Sequence, residues 1–444
     1  MSDKTTDRER SATFREVFAG GEFRGVYSAG LLSWLGDYLA KAAVTAMVYN
    51  QTHSVAFSAA AFAVGYLPWV VGGPVLAALA ERYPHRRVMV SADLARAVLI
   101  ALVAIPHLPT AAIFTLLFCT ALGSPPFDAA RSALMPRILQ GDRYVVALTI
   151  QNVTMQAAQL VGYFGGAGLG TAHPQLALLI DSATFLASAL VLRSTVASHR
   201  PGLAPERRTH LLREAAGGFG VVFRTGVLRS IAVLVFALML FTTVPEGLAA
   251  AWAAVVTGDN GQRGMAQGLI MVGYPAGFIV GGLVIGRLVS PASRRRLVRP
   301  LGVVAPLVLV PALFDPSAIV ICGMCVLAGF AAAGLMPTAN HLFVQALPDA
   351  YRARAFGVMQ SGVLVLQGIG VAVTGELADN FYLPSVVGVW SLAGVVLMLA
   401  VSVTWPPSER FTEAIEAAQA ANAVSTDEPT DEIPKPRRAQ TAEA

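Results

Sequence analysis

Asp37, Lys41 and Glu246 stand inside long apolar runs and are the first chemical signal in the chain. Asp37 and Lys41 lie in the run 26–50, and Glu246 lies in the run 229–256. A charge in hydrocarbon costs about 2.5–3.5 kcal/mol on insertion scales, so each is a functional candidate by default. Asp37 follows Arg24 by 13 residues, which at the α-helical rise places it roughly 20 Å along a helix, near a bilayer midplane. Lys41 comes one turn later on the same face, so the two charges can simply neutralise each other. Alternatively Asp37 exchanges a proton, because burial and the lysine bias its ionisation in opposite senses. Glu246 has Ala250, not a lysine, one turn on. It reads either as a neutral acid bonded to a neighbouring helix or as a group that keeps its proton until substrate or water arrives.

Other polar residues recur at helical spacing. Asn152, Gln156 and Gln159 form one stripe, suited to interhelical hydrogen bonds or to a wet pathway. Asp93 with Arg96 and Asp128 with Arg131 are i,i+3 pairs expected near helix ends, at a wet surface where pairing is worth about 1 kcal/mol or less. Gly162, Gly166 and Gly170 are spaced by four, as are Gly273, Gly277 and Gly281; each set makes a flat stripe for close helix packing. The run GGAGLG superficially resembles a dinucleotide loop, but no strand precedes it. Cys322 and Cys325 have no catalytic context and read as small helix residues. With no phosphate-binding GxxxxGK[ST] loop and no metal-ligand spacing, neither an enzyme nor a cofactor is expected.

The elements that must hold these residues are membrane helices. The chain is 55% apolar and only 13% charged, with mean hydropathy +0.61, against roughly a quarter charged in soluble proteins. Twelve apolar runs, at about 26–50, 55–80, 88–106, 110–134, 144–170, 174–193, 229–256, 265–289, 299–314, 317–345, 354–378 and 383–405, are each read as long enough to cross about 30 Å of hydrocarbon. The net charge of +5 does not mark a nucleic-acid binder, because the arginines sit in short connections after the even-numbered runs. That bias places both termini in the cytoplasm. The expected organisation is a cytoplasmic segment 1–24, a first six-helix bundle 25–193, a cytoplasmic linker 194–228, a second bundle 229–405 and a polar, disordered tail 406–444. A short amphipathic piece is expected near Phe219 to Arg224, and an Ala-rich helix over Ser408 to Ala421.

A shift of 209 positions carries Gly73 to Gly282, Ala77 to Gly286, Arg86 to Arg295, Arg87 to Arg296, Gly166 to Gly375 and Asp37 to Glu246. One shift serving several places implies two similar halves. Within the first copy, Ala77, Glu81, Arg82, Pro84, His85 and Arg86 resemble the pattern Gly, three residues, Asp-Arg, one residue, Gly, then basic residues, with Ala, Glu and Pro as departures. That pattern belongs to the connection between helices two and three of the major facilitator superfamily. The chain is most similar to its twelve-helix drug/proton antiporter branch, over about residues 14–405, although span five lacks that branch's central proline.

The resemblance implies the major facilitator fold: an all-α membrane protein of twelve transmembrane helices in two pseudo-symmetric six-helix bundles. It implies a central cavity holding Asp37, Lys41 and Glu246; the polar stripe of Asn152, Gln156 and Gln159 is counted with these as a candidate pathway. It also implies a cytoplasmic gate made by Glu81, Arg82, Arg86, Arg87, Asp93, Arg96, Asp128 and Arg131. The expected function is proton-coupled export of amphipathic organic compounds across the plasma membrane, with protons, a small molecule and lipid as partners and a monomer as the working unit. The cavity-facing helices read as mostly apolar, with no arginine ready to clamp an anionic substrate. Import or facilitated passage of a small solute is the alternative within transport; a silent membrane receptor or assembly subunit is the alternative outside it.

Overall fold

A computed structural model of the chain describes residues 13–71, 83–197, 219–348 and 351–427. Among these residues every regular element is helical. A short α1, Phe14–Val17, opens on a capping box in which Thr13 and Glu16 satisfy each other's backbone N–H groups. The first half continues with α2 (Gly21–Thr52), α3 (Val55–Ala63), a 3-10 turn Val64–Tyr66, α4 (Leu67–Val71), α5 (His85–Val103), α6 (Thr110–Ala121), α7 (Ser124–Ile138), α8 (Asp142–Ala172) and α9 (Pro174–Thr195). The second half holds α10 (Gly226–Thr242), α11 (Val244–Val256), α12 (Asn260–Leu288), α13 (Pro291–Leu307), a 3-10 turn Val310–Phe314, α14 (Ala318–Gln345), α15 (Arg352–Asn380) and α16 (Leu383–Val403), followed by α17 (Ser408–Asp427).

Among the described residues, eight helical segments are long and apolar enough to cross a membrane by length and composition. The long helices α2, α5 and α8 are not among them; they carry the buried charges and the amide stripe, which lower their hydropathy. Large apolar side chains such as Leu190, Leu288, Phe314 and Val403 are exposed, as they must be where the surrounding solvent is hydrocarbon.

Two expected spans are broken where proline removes a backbone donor. Pro125 and Pro126 cannot bond the carbonyls of Ala121 and Leu122, so α6 ends and α7 restarts beyond Gly123. Pro245 does the same between α10 and α11. Helices also extend past the apolar runs: the run read as 144–170 is Asp142–Ala172 and that read as 265–289 is Asn260–Leu288, since a helix end gains its hydrogen bonds whatever its polarity. Residues 219–224 are helical, and α17 continues to Asp427, beyond the expected Ala421. The start of α17 is docked: Phe411 stacks on Trp405, and Ala414 and Ile415 pack with Val222 on the core of the second half.

Glycine sets the closest approaches. Within the first half α2 runs between α8 and α9. Gly162 faces the backbone of Leu35 and Leu39, Gly166 faces Leu39, and Gly170 faces Ala43, so α8 lies backbone to backbone on α2. In the second half Gly273, Gly277 and Gly281 meet Cys322 and Cys325, Val326, and Phe330 of α14 in the same way. Two cores lie within the first half, one within the second, and a fourth is shared, joining Phe62 and Tyr163 to Leu248 and Trp252.

Several contacts joining the halves lie toward the arginine-poor end. The Gln267 amide of α12 donates to the Ala42 carbonyl at 2.9 Å and to the Thr45 hydroxyl at 3.2 Å. Asp379, near the end of α15, accepts from the Ser54 hydroxyl at 2.6 Å and from the Val55 N–H at 2.5 Å, and so caps α3 from the opposite half. Losing a cap contact costs about 1 kcal/mol, a roughly fivefold change in an equilibrium. Asp379→Ala is therefore expected to raise, by roughly that factor, the reactivity of a cysteine at buried Thr45 toward an impermeant thiol reagent. The assay needs a background without Cys119, Cys322 and Cys325; equal reactivity with and without Asp379 refutes the contact as a closure.

Candidate functional site

The site is built on α2, whose position is set by glycines on both sides. Gly162, Gly166 and Gly170 bring α8 against one side of it, and its own Gly36 admits Asp181 and Thr184 of α9 on the other. Between the helices lies a cavity of about 280 Å³ whose walls include Trp34, Asp37, Lys41, Phe62, Tyr66 and Asp181. The Asp37 side chain is 42% exposed, opening into this space.

Arg96 is the centre of the charge arrangement. From α5 it reaches Asp37 at 3.7 Å, with its own helix's Asp93 in direct contact. Asp93 is fully buried and also accepts from the Ser188 hydroxyl at 2.6 Å. The guanidinium lies over Phe127 at 4.7 Å and Phe185 at 4.3 Å, where the ring faces favour a cation. The break at Gly123 makes room for it, since a Cβ there would stand 2.9 Å from the arginine Cγ. Four elements thus converge on one cation. Asp93 and Arg96 are accordingly not at a wet surface, as expected from sequence, but inside the bundle. They lie two to three turns into α5, and only packing decides which face of that helix is covered. The cavity also has an arginine beside it, contrary to expectation, although two carboxylates already occupy it.

Lys41 does not pair with Asp37. Its ammonium donates to the Tyr66 hydroxyl at 3.0 Å and rests 3.9 Å from the Phe62 ring centroid and 4.2 Å from that of Tyr66. It remains within electrostatic reach of Glu246 and Asp37. Glu246 follows the Pro245 break, is buried, and accepts from the Tyr163 hydroxyl at 3.3 Å. Gln159 lies one turn before Tyr163 on α8. The amide stripe divides by burial: Gln159 and Gln156 are half-buried and Asn152 is exposed. Four carboxyl groups, Asp37, Asp93, Asp181 and Glu246, face two cations, Lys41 and Arg96.

The gate residues are only partly brought together. Glu81 and Arg82 lie outside the described residues. Arg86 donates to the Val196 carbonyl at 3.1 Å, capping the end of α9, and Arg87 is exposed. In the second copy Arg294 donates to the Val289 and Gly286 carbonyls at the end of α12, and Arg295 donates to Gln345 at 3.2 Å. Arginine at a helix C-terminus satisfies orphan carbonyls and the helix dipole at once. Asp128 and Arg131 pair at 2.9 Å, and Arg131 lies over Trp34, one turn before Asp37. Sequence reasoning passed over Asp181, Tyr66 and Tyr163. For Asp181 the signal was available, an acid amid the apolar run 174–193; for the tyrosines nothing distinguished them from other aromatic residues.

Two helical bundles, whose contacts among the described residues include several toward the arginine-poor end, and a charged cavity walled mainly by the first of them define the architecture of a membrane transporter. The chain belongs to the Major Facilitator Superfamily, whose family model matches residues 26–258 and 246–439. It is a transporter, not an enzyme. It is 22% identical to macrolide efflux protein A of Streptococcus pyogenes over 409 residues, covering 87% of this chain and 95% of that protein. Among solved structures the fold is similar to the nucleoside transporter NupG, with TM-score 0.68, 15% identity and coverage of 86% of this chain and 100% of that one. It is also similar to the peptide transporter POT, with TM-score 0.68, 14% identity and coverage of 92% and 98%.

Proposed function

We propose that the protein is a proton-coupled exporter of amphipathic organic compounds, working by alternating access between residues 25–193 and 229–405. In this reading twelve spans cross the plasma membrane and both termini are cytoplasmic. The observation that carries it is Asp37, a carboxylate that opens into the cavity of the first half while Arg96 holds it from behind. Such a group changes partner when a proton or a substrate enters, and an aromatic lining suits an amphipathic molecule. The likeness to a macrolide efflux protein supports export and a bulky organic substrate. With the arginine-rich connections in the cytoplasm, the halves are closed at the outer end, which corresponds to an inward-facing state. Glu81, Arg82, Arg86, Arg87, Asp128 and Arg131 would then act at the cytoplasmic closure, while Asp93 and Arg96 serve the cavity. The monomer is the working unit in this reading.

Vesicles containing the purified protein test this directly, with compound-driven proton movement as the readout. Asp37→Asn is expected to reduce that movement to background while the variant still inserts. Undiminished movement in the Asn variant removes Asp37 from the coupling, and movement absent even from the unmodified protein removes proton coupling altogether.

A further inference from the structure

Asp181 is a buried acid that no pairing explains. It sits two turns into α9, is 1% exposed, and yet lines the cavity of the first half. Its carboxylate accepts from the Thr184 hydroxyl only at 3.4 Å, and that hydroxyl's single proton is better placed on the Asp181 backbone carbonyl at 2.7 Å. The adjacent Ser182 hydroxyl donates to the Ala97 carbonyl at 2.8 Å. Ser188 and Arg96 both serve Asp93, and Arg96 also serves Asp37. Among the described residues no cation pairs with Asp181. The groups around it are Asp37 and Lys41 on α2, and Asp93 and Arg96 on α5.

We infer that Asp181 is a second proton-exchange site, distinct from Asp37 and linked to it through Arg96. A buried carboxylate without a cation or a committed donor is costly, whereas the carboxylic acid can stay. The inference rests on the proton-coupled reading above. When a proton or a cationic group neutralises Asp37, Arg96 is released from it and becomes available to Asp181. The O–H bond of the Asp181 carboxyl then breaks, its proton passes to cavity water, and the carboxylate is left with the arginine. Gly36 gives this link a mechanical side: its missing Cβ lets the Asp181 carboxyl touch α2 one residue before Asp37, so sliding of α2 against α9 alters both acids together.

The test is an infrared pH titration of the full chain in lipid vesicles, reading the C=O stretch of protonated carboxyls and the protons bound per molecule. Asp181→Asn is expected to remove one such band and one bound proton, and Asp37→Asn, which neutralises that acid permanently and frees Arg96, to make the Asp181 band titrate away at lower pH. Asp181→Glu should shift the band without abolishing it, which decides the matter if the Asn variant does not fold. A titration unchanged in Asp181→Asn, or a band unmoved in Asp181→Glu, overturns the inference. The two readings fail separately. Normal compound-driven proton movement with no Asp181 band removes only the second site; absence of that movement from the unmodified protein removes coupling for both acids.

Discussion

Replacing Arg96 with methionine is expected to destabilise the protein by about 3–5 kcal/mol, the usual cost of removing one partner from a buried ion pair. Asp93 is fully buried and, among the described residues, has only Ser188 left to donate to it, and Asp37 loses its cation as well. Methionine keeps part of the contact with Phe127 and Phe185 but none of the cation–ring attraction. The measurement is the thermal unfolding midpoint of the purified protein in detergent. The double variant Asp93→Asn with Arg96→Met should recover much of the loss, because a neutral amide in place of the carboxylate can still accept from Ser188 and needs no counter-charge. An Arg96→Met protein as stable as the parent would mean that the cluster is solvated from the cavity, which would undo the account of Asp181 as well.

The second large effect is expected at Gly277. A Cβ there would overlap the Val326 carbonyl oxygen, and a backbone carbonyl cannot rotate aside as a side chain can. The neighbouring turns are also tight, with Gly273 on the Cys322 carbonyl and Gly281 on that of Phe330. From the other side Gly329 meets the Tyr274 carbonyl. Gly277→Ala must therefore push α12 away from α14 along several turns, at a cost of about 1–3 kcal/mol or more. Because α12 also packs on α8 across the junction of the halves, transport should fall together with stability. Gly282→Ala is the control. A Cβ there meets nothing within 4 Å, so the substitution should be neutral or improve stability by up to about 1 kcal/mol through helix propensity. Equal midpoints for the two variants would show that α12 and α14 are not closely packed in the membrane.

The helical architecture was legible because hydrocarbon leaves the backbone few choices. An apolar run of about 20 residues must satisfy its own hydrogen bonds, and the arginines between runs follow one side. The glycine spacings of four were legible for the same reason: one face of a helix repeats at that interval, and only glycine lets another backbone approach it. Asp37 and Glu246 announced themselves as acids in apolar surroundings, and Asp181 carried the same signal.

Partnership was not legible. The i,i+4 spacing of Asp37 and Lys41 permits an ion pair, yet Lys41 turns to Phe62 and Tyr66 while Asp37 faces Arg96, 59 positions further along the chain. The i,i+3 spacing of Asp93 and Arg96 is equally suited to a wet surface and a buried core. The choice fell to α9, which brings Ser188 and Phe185 against them, and to the gap at Gly123. By itself the sequence determined which segments are helical membrane elements, which faces pack closely and which acids are costly to bury, since each follows from local periodicity and solvation. Only the tertiary structure decided which cation each acid meets, because that depends on the rotation and depth of helices distant in the chain, and a shift of one residue in any of them changes every partner.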